Sequence, residues 1–256
     1  MTPGFSTAVM RAPCRRMVDG IRAEAGDEVD FDQAVVQHDA CAAALENLGL
    51  AVTVLPADEA FPDSVFVEDV AICTPPVAIV TNPGAMSRNG EKRDWAAILA
   101  RWFEQVATIE PPGTLDGGDV MLAGRQVFAG LSARTNREGA DQLFSILEPQ
   151  GFAGTAIPLS TLLHLKSGVA WLDHETLLVA GELVGRPEFS GFRTIEVPPG
   201  EAAAANSLWI NGTVLVPAGY PQTRDRIAGL GYAMGELDIS EFAKLDGGLS
   251  CLSLRF

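Results

Sequence analysis

Short alternating apolar segments recur along the chain in pairs, and each pair encloses turn residues. Such pairs are typical of β-hairpins, in which two antiparallel strands flank a tight turn. The four clearest pairs cover residues 70–81, 119–130, 168–181 and 207–219. Their starts lie about 40 to 50 residues apart, a period that indicates a repeat architecture.

A helix-like stretch and a further short strand follow most of these hairpins. The predicted helices cover residues 90–105, 136–151 and 221–231, and the strands after them cover residues 106–110, 154–159 and 232–239. After the hairpin at 168–181, Gly and Pro interrupt the region 182–202, so the helix there is predicted to be short or missing. The repeating unit is therefore strand, strand, helix, strand.

The two ends of the chain supply a fifth unit. We expect residues 251–256 to pair with residues 5–12, followed by a helix over 31–49 and a strand over 50–56. Pairing the last strand with the first leaves no open sheet edge. Because no linker or shift in composition separates the units, we predict one domain over residues 1–256. Its predicted fold class is α/β, a five-bladed, pseudo-symmetric α/β propeller of ββαβ units.

Composition narrows the classes of partner. The chain has 256 residues, is 47% hydrophobic and carries a formal charge of -15. That charge would repel a phosphate backbone, so we expect no nucleic-acid partner, whereas a small cationic molecule is favoured. The N-terminus lacks a signal-peptide pattern and no apolar run reaches the roughly 18 residues of a membrane span. We therefore expect a cytoplasmic protein with no membrane partner.

The cysteines and histidines are few and scattered. No C-x-x-C pair occurs, so neither a zinc cage nor a disulfide framework is expected. Cys14, Cys41 and Cys73 are predicted to be small buried hydrophobic side chains. His38 and His174 are predicted to have structural or surface roles.

Polar residues precede the first strand of every unit. If the units surround an axis, these positions meet at one end of it and form a central pocket. The side chains predicted to crowd this pocket are Asp63, Glu68, Asp69, Asp116, Asp119, His164, Asn206 and Cys251. The turn "KLDGGLSC" near the C-terminus and its twin "GTLDGGDV" would then be two walls of one site.

The pocket would combine a thiol with a base. A free thiol is mostly protonated at neutral pH and becomes a good nucleophile only when a neighbouring cation or base lowers its pKa. His164 can activate Cys251, and a carboxylate on the other imidazole nitrogen would orient the ring. Asp116 is the candidate for that carboxylate. Gly117 and Gly118 allow substrate and backbone to approach closely.

The remaining carboxylates predict the charge of the ligand. Asp63, Glu68 and Asp69 would repel one another in a pocket without a cation. A planar guanidinium satisfies them, and its central carbon is open to attack by a thiolate. Arg88 and Arg134, which follow the first two hairpins, could hold a substrate carboxylate. The predicted ligand is therefore an arginine-like amino acid.

Seven motifs together resemble the dimethylarginine dimethylaminohydrolases of the guanidino-group-modifying superfamily. They occur in the same order as in the family, from residue 61 to the end of the chain: "FPDSVFVEDVA", "TNPGAMSR", "GTLDGGDV", "GLSARTN", "LHLKSG", "PAGYPQTR" and "KLDGGLSCLSLRF". The segments "VDGI" and "QHDACAAAL" extend the similarity toward the N-terminus. The fold that this resemblance implies, the pentein-type five-bladed α/β propeller, agrees with the predicted repeat of ββαβ units.

The resemblance implies hydrolysis of Nω,Nω-dimethyl-L-arginine, and of the monomethyl compound, to citrulline and an amine, without a metal or organic cofactor. It implies that Cys251 attacks the guanidinium carbon to give a thiouronium-type intermediate. It further implies that His164 protonates the departing amine and then activates water, with Asp116 orienting the imidazole. Asp116 stands where some relatives carry Glu, which makes its reach to His164 a question for the structure.

The same resemblance assigns the substrate contacts. Asp69, with Glu68 nearby, would face the guanidinium. The α-ammonium group would contact Asp63 and the backbone carbonyls of Ile21 and Leu245. The α-carboxylate would contact Arg88 and Arg134. The charged segment 15–30, with Gly20 and Gly26, is interpreted as a flap over the pocket.

Two alternatives differ in function. Another guanidine-modifying enzyme, an arginine deiminase or an amidinotransferase, would share the thiol, imidazole and acid chemistry, but arginine deiminases are commonly much longer. A non-catalytic binding protein on the same propeller would have no use for Cys251 and His164 together. The expected partner is a small-molecule substrate, and the sequence is compatible with a homodimer.

Overall fold

The computed structural model describes residues 4–23, 26–75, 77–173 and 175–256. Within these ranges fifteen strands form five sheets of three strands each. In every sheet an antiparallel pair is extended by a third strand that runs parallel to the middle one. The predicted propeller of five ββαβ units is therefore confirmed.

Each sheet is one blade, and the chain ends share the first. Blade 1 consists of β1 (Thr7–Arg11), β2 (Ala51–Leu55) and the final strand β15 (Leu254–Arg255). Blade 2 consists of β3 (Ala71–Cys73), β4 (Ala78–Val80) and β5 (Val106–Thr108). Blade 3 consists of β6 (Val120–Ala123), β7 (Gln126–Leu131) and β8 (Ala153–Pro158). Blade 4 consists of β9 (Val169–Trp171), β10 (Thr176–Val179) and β11 (Arg193–Glu196). Blade 5 consists of β12 (Leu208–Ile210), β13 (Thr213–Pro217) and β14 (Ala233–Leu237).

Helices connect the middle and outer strands of four blades. They are α1 (Phe31–Asn47) in blade 1, α2 (Trp95–Leu99) in blade 2, α3 (Arg137–Leu147) in blade 3 and α4 (Pro221–Ala228) in blade 5; a short α5 (Ser240–Ala243) follows β14. In blade 4 two 3-10 turns stand in place of the helix, as the Gly and Pro residues predicted. The helix predicted over 90–105 is shorter than expected, because residues 89–94 form a 3-10 helix before α2. In the described part of the chain no helix has the length and apolarity to cross a bilayer.

The apolar face of each helix packs against its own sheet. In blade 3, buried Ala140, Leu143 and Leu147 of α3 share a core cluster with Val127 of β7. The spacing of these three residues puts them on one face of the helix. Asn136 begins α3, because its side chain accepts a hydrogen bond from the N–H of Gly139 at 2.8 Å.

Five 3-10 turns, each directly before the first strand of a blade, surround the propeller axis. Numbered by blade, they are Ser250–Leu252 (first), Val67–Val70 (second), Gly117–Asp119 (third), Leu165–Ser167 (fourth) and Ala202–Ala205 (fifth). Four of the five neighbouring pairs of turns contact each other directly, and Asn206 links the fifth pair, Ala202–Ala205 and Ser250–Leu252. These are the polar segments in which the sequence placed the candidate site residues.

Buried carboxylates join the second, third and fourth turns. The N–H of Gly118 donates to Asp69 Oδ1 at 3.0 Å, and the N–H of Leu165 donates to Asp119 Oδ1 at 2.9 Å. Both amides lie in the interior, where an unsatisfied donor is costly. The two aspartates therefore fix the position of one blade relative to the next.

Asn206 closes the circle between the fourth, fifth and first blades. Its amide nitrogen donates to the carbonyl of Lys166 and to Ser250 Oγ, both at 3.1 Å, and its oxygen accepts from the N–H of Ser250 at 2.8 Å. The Ser250 hydroxyl in turn donates to Glu68 Oε2. We refer to this circle of contacts as the ring of turns.

The ring of turns predicts a stability effect for Asn206→Ala. The change removes three buried hydrogen bonds and leaves the N–H of Ser250 without its acceptor. Because an unsatisfied buried group costs about 1–3 kcal/mol, we expect the free energy of unfolding to fall by about 2–4 kcal/mol. Urea denaturation measures this free energy. The control is Asn47→Ala at an exposed position of α1, which should change the free energy of unfolding by less than about 0.5 kcal/mol. Equal effects of the two variants would contradict this role of Asn206.

Candidate active site

A cavity of about 100 Å³ lies on one side of the ring of turns. Eight of the ten residues predicted for the site line it: Ile21, Asp63, Asp69, Arg88, Arg134, His164, Leu245 and Cys251. Asp116 and Glu68 do not line it. The thiol and the imidazole thus line the same cavity, although Cys251 and His164 are 87 positions apart in the chain.

Cys251 lies in the 3-10 turn before the last strand and is half-buried. The strand predicted over 251–256 begins only at Leu254, because the chain needs this turn to enter β15. The N–H of Gly248 approaches Cys251 Sγ at 3.4 Å, within the range of a weak N–H···S bond. Asp246 lies in the segment before this 3-10 turn and has a φ of +57°, a conformation that Asp tolerates better than most residues.

His164 lies directly before the fourth turn of the ring. Its Nε2 is 3.1 Å from Asp116 Oδ2, and Asp116 is fully buried. The other oxygen of Asp116 accepts from the N–H of Gly84 at 2.8 Å, and Arg134 Nη1 is 3.6 Å from Oδ2. The shorter Asp side chain therefore reaches the imidazole directly.

The local charges favour a protonated imidazole. Burial by itself lowers the pKa of His164, but the charge of Asp69, the hydrogen bond to Asp116 and the charge of Asp119 outweigh it and raise the pKa to about 9. Asp69 Oδ1 is 4.0 Å from His164 Nε2. His164 is thus an imidazolium at neutral pH and holds the proton that an acid catalyst needs.

The surroundings of Cys251, in contrast, disfavour its charged form. Burial, and then the negative charges of Glu68 and Asp69, raise its pKa to about 12, while the N–H of Gly248 and Lys166 act weakly in the other direction. Without a further cation the sulfur is therefore a neutral thiol. Such a site requires the charge of its ligand to ionise the nucleophile.

Arg88 is buried and surrounded by acceptors. It donates to Asp69 through Nη1, to Glu91 at 3.0 and 2.8 Å, and to the carbonyl of Phe66 at 3.0 Å. Burial alone would raise the pKa of Asp69, but the charges of His164 and Arg88 reverse this and lower it. Glu91 was missed in the sequence, although its i,i+3 spacing from Arg88 was a usable signal.

The residues predicted to contact the ammonium group, Ile21, Asp63 and Leu245, also line the cavity. Asp63 Oδ1 accepts from the N–H of Ile21 at 2.9 Å, and Leu245 lines the wall beside it. Burial raises the pKa of Asp63. A cationic group bound here would offset that burial. Residues 24 and 25 of the predicted flap lie outside the described residues, so the flap stays a prediction.

Glu68 points away from this cavity, unlike its neighbour Asp69. Its carboxylate contacts Lys166 Nζ at 2.6 Å and Arg255 Nη2 at 3.1 Å, and it accepts from Ser250. Of the two adjacent acids predicted to face a guanidinium, the structure places only Asp69 on the cavity. Lys166 and Arg255 were not identified from the sequence.

Other candidate residues have packing or linking positions. Asp119 and Asn206 belong to the ring of turns rather than to the cavity wall. Cys14 and Cys41 are buried in a core cluster, and Cys73 packs against another. His38 is buried on α1, and His174 lies outside the described residues.

Asp69, Asp116 and His164 could in principle share a metal ion, since one ligand atom of each lies within 4.8 Å of the others. Each group already has a partner: Arg88 for Asp69, and Asp116 and His164 for each other. The chain's own cations therefore offset these two carboxylates.

A five-bladed α/β propeller with a thiol, an imidazole and buried carboxylates around one cavity defines a guanidino-group-modifying enzyme. The family model described as eukaryotic N,N dimethylarginine dimethylhydrolase matches residues 19–164. The N(G),N(G)-dimethylarginine dimethylaminohydrolases of Pseudomonas aeruginosa and Streptomyces coelicolor are 48% and 38% identical over 98% and 97% of this chain, and 100% and 96% of theirs. The chain belongs to the dimethylarginine dimethylaminohydrolase family.

A solved structure extends the similarity to three dimensions. It is a Cys→Ser variant of the Pseudomonas aeruginosa enzyme in complex with citrulline. The match has a TM-score of 0.97 at 47% sequence identity and covers 99% of this chain and 100% of the other. The fold of this chain is therefore that of the family throughout its length.

The raised pKa of Cys251 predicts slow alkylation at neutral pH. Since the thiolate is the reactive species, the rate with iodoacetamide should rise about tenfold per pH unit from 7 to 10 without a plateau. Mass spectrometry of the peptide that contains Cys251 measures this rate, and Cys251→Ser confirms which thiol is labelled. A plateau below pH 8 would contradict the stated electrostatics.

Proposed function

We propose that this chain hydrolyses Nω,Nω-dimethyl-L-arginine, and Nω-monomethyl-L-arginine, to L-citrulline and dimethylamine or methylamine. The observation that carries the proposal is the meeting of Cys251, His164 and Asp69 on one cavity in a chain of this family. A thiol nucleophile, an acid with a proton to give and a carboxylate for a guanidinium are what the reaction needs.

Substrate binding supplies the charge that the resting site lacks. Asp69 faces the guanidinium and shares its carboxylate with Arg88. The positive charge of the substrate beside Cys251 lowers the pKa of the thiol, which is otherwise raised by burial and by Glu68 and Asp69. The nucleophile is therefore generated mainly when a cationic substrate is present.

The reaction then proceeds in two balanced steps. As the substrate binds, the Cys251 thiol releases its proton to solvent. The thiolate then forms a bond to the guanidinium carbon, the bond from that carbon to the methylated nitrogen breaks, and His164 gives its proton to the departing amine. A thiouronium intermediate remains on the sulfur. Neutral His164 then takes a proton from water, whose oxygen attacks the same carbon. The C–S bond breaks, citrulline leaves, and the thiol and imidazolium are restored.

The remaining cavity residues orient the amino acid end. Asp63 and the backbone carbonyls of Ile21 and Leu245 bind the α-ammonium group. Arg134 binds the α-carboxylate together with Arg88; Arg134 is the more open of the two, since its side chain is 14% exposed and that of Arg88 is 5%. Glu68 acts at a distance through its charge, because its side chain lies on the other side of the ring of turns.

Location and assembly form part of the same proposal. All four cysteines are free thiols, which supports a reducing compartment such as the cytoplasm. Val36 on α1 and Val54 on β2 are 60% and 46% exposed on the same blade, which supports a homodimer through blade 1. Light scattering of the purified chain tests it: the mass of a single chain at all concentrations would contradict the dimer.

The substrate assignment is tested by citrulline formation from dimethylarginine, monomethylarginine and arginine. We expect both methylated substrates to be turned over, and Cys251→Ser to lower kcat by at least about a thousandfold, because the nucleophile is removed. Cys41→Ala, a change at a thiol buried on α1, is the matched control and should keep the activity. Citrulline from arginine alone would exclude this substrate class, and citrulline formation by Cys251→Ser at a rate near that of wild type would exclude the mechanism.

Gly118→Ala tests the placement of the imidazole. A Cβ at Gly118 would lie 2.7 Å from Asp69 Oδ1 and 2.8 Å from His164 Nδ1, so both groups must move. Because small displacements of catalytic groups cost up to about a hundredfold, we expect kcat to fall about 10- to 100-fold in a folded protein. Gly191→Ala, where an added Cβ contacts nothing within 4 Å, should be neutral. Normal activity of Gly118→Ala would contradict the tight packing of this site.

A further inference from the structure

A second and larger cavity lies along the propeller axis on the opposite side of the ring of turns. Its volume is about 860 Å³. Its walls are the first strands of all five blades, and its end wall is formed by Glu68, Gly117, Lys166, Asn206 and Ser250 of the ring. We call it the axial cavity. Among the described residues none lines both this cavity and the active-site cavity.

The walls of the axial cavity are apolar. Ile72, Leu122, Trp171, Leu208 and Trp209 contribute side chains from four different blades. Apolar pockets of about 300–1,000 Å³ with a few convergent polar groups are typical small-molecule sites. The size and lining therefore suit a ligand with an apolar body.

The charges at the end wall select the head group of that ligand. Lys166 and Arg255 share one carboxylate, Glu68, so this end of the cavity carries one more positive charge than negative. Arg255 is also held by the carbonyl oxygens of Ser250 and Ser253. Lys166 has Glu68 as its one ion-pair partner within the described ranges, and its side chain is 18% exposed.

We propose that the axial cavity binds a small carboxylate with an apolar body, its head group on Lys166 and its body between the first strands of the blades. A cationic head group is disfavoured, because Glu68 already contacts Lys166, Arg255 and Ser250. An uncharged ligand would displace water from Lys166 without replacing its hydrogen bonds. A carboxylate satisfies the ammonium group with a charge-assisted bond.

Occupancy of this site acts on the active site through the end wall. Glu68 and Ser250 are the chain neighbours of Asp69 and Cys251, and they contact each other. A carboxylate on Lys166 adds a negative charge beneath Cys251, where Lys166 now favours the thiolate. Binding is therefore expected to slow ionisation of Cys251. This effect requires the thiol alone and does not depend on the substrate assignment.

Calorimetric titration of the full chain with octanoate, octanol and octylamine, below their micellar concentrations, tests the selectivity. Wild type should bind octanoate at least about tenfold more tightly than octanol, since a charge-assisted bond is lost with the alcohol, and should not bind octylamine. Lys166→Met should remove the preference for octanoate, and Lys166→Arg should keep it. Equal affinity for octanoate and octanol in wild type, or no binding of octanoate, would overturn the proposal.

A second pair of variants tests the location. Leu122→Trp adds bulk to the cavity wall on β6 and should weaken octanoate binding several-fold, whereas Leu230→Trp, at an exposed position after α4, should leave it unchanged. Circular dichroism establishes that both variants are folded. An unchanged affinity for octanoate in folded Leu122→Trp would place the ligand elsewhere and overturn the site.

Alkylation of Cys251 tests the coupling. An octanoate concentration that saturates wild type should slow the reaction with iodoacetamide at pH 8 several-fold in wild type and in Leu230→Trp, and should slow it less in Leu122→Trp. An unchanged rate in octanoate-saturated wild type would overturn the coupling between the two cavities.

Discussion

The hydrogen bonds that join the five 3-10 turns are the constraint on which the molecule depends. At each junction a buried side chain of one turn meets the backbone or a side chain of the next, through Asp69, Asp119, Asn206 and Ser250. A buried amide has no water to replace its acceptor, so each bond holds a donor of one blade about 3 Å from an acceptor of the next. Because Asp69 and Cys251 belong to these turns and His164 directly precedes one of them, closing the circle also sets their positions.

The second requirement is the balance of buried charge. Removing carboxylates from water is expensive, and pairing them with cations repays the cost only when the geometry is good. Asp69 meets this condition with Arg88, and Asp116 with His164. The imidazolium therefore serves both the structure and the chemistry: its proton stabilises two acids at rest and is available to a departing amine. The thiol has no such partner, which makes its ionisation depend on the ligand.

The sequence predicted the hairpins, the fifth unit from the two chain ends and the convergence of most site residues, because alternation and turn signals are local and a repeat imposes the ring. It could not predict which way adjacent side chains turn. Glu68 and Asp69 belong to one motif, yet the direction of Glu68 depends on Lys166 and Arg255, which are distant in the chain. The missed contact of Arg88 with Glu91 has a related origin: the sequence predicts Arg88 in the loop before a helix over residues 90–105, whereas residues 89–94 form a 3-10 helix and Arg88 contacts Glu91 within it.

In two of the turns, consecutive residues face opposite sides of the ring of turns. This arrangement restricts which substitutions leave the active site unchanged. Asp69 and Cys251 face the active-site cavity, while Glu68 and Ser250 face the axial cavity and bond to each other. A 3-10 turn allows little independent rotation of consecutive residues, so a change that moves Glu68 or Ser250 also moves its neighbour. A substitution at the end wall of the axial cavity therefore alters the electrostatics of the thiol even though it contacts no substrate. The two sides of the ring consequently form one electrostatic unit, with the backbone of two turns as the wall between them.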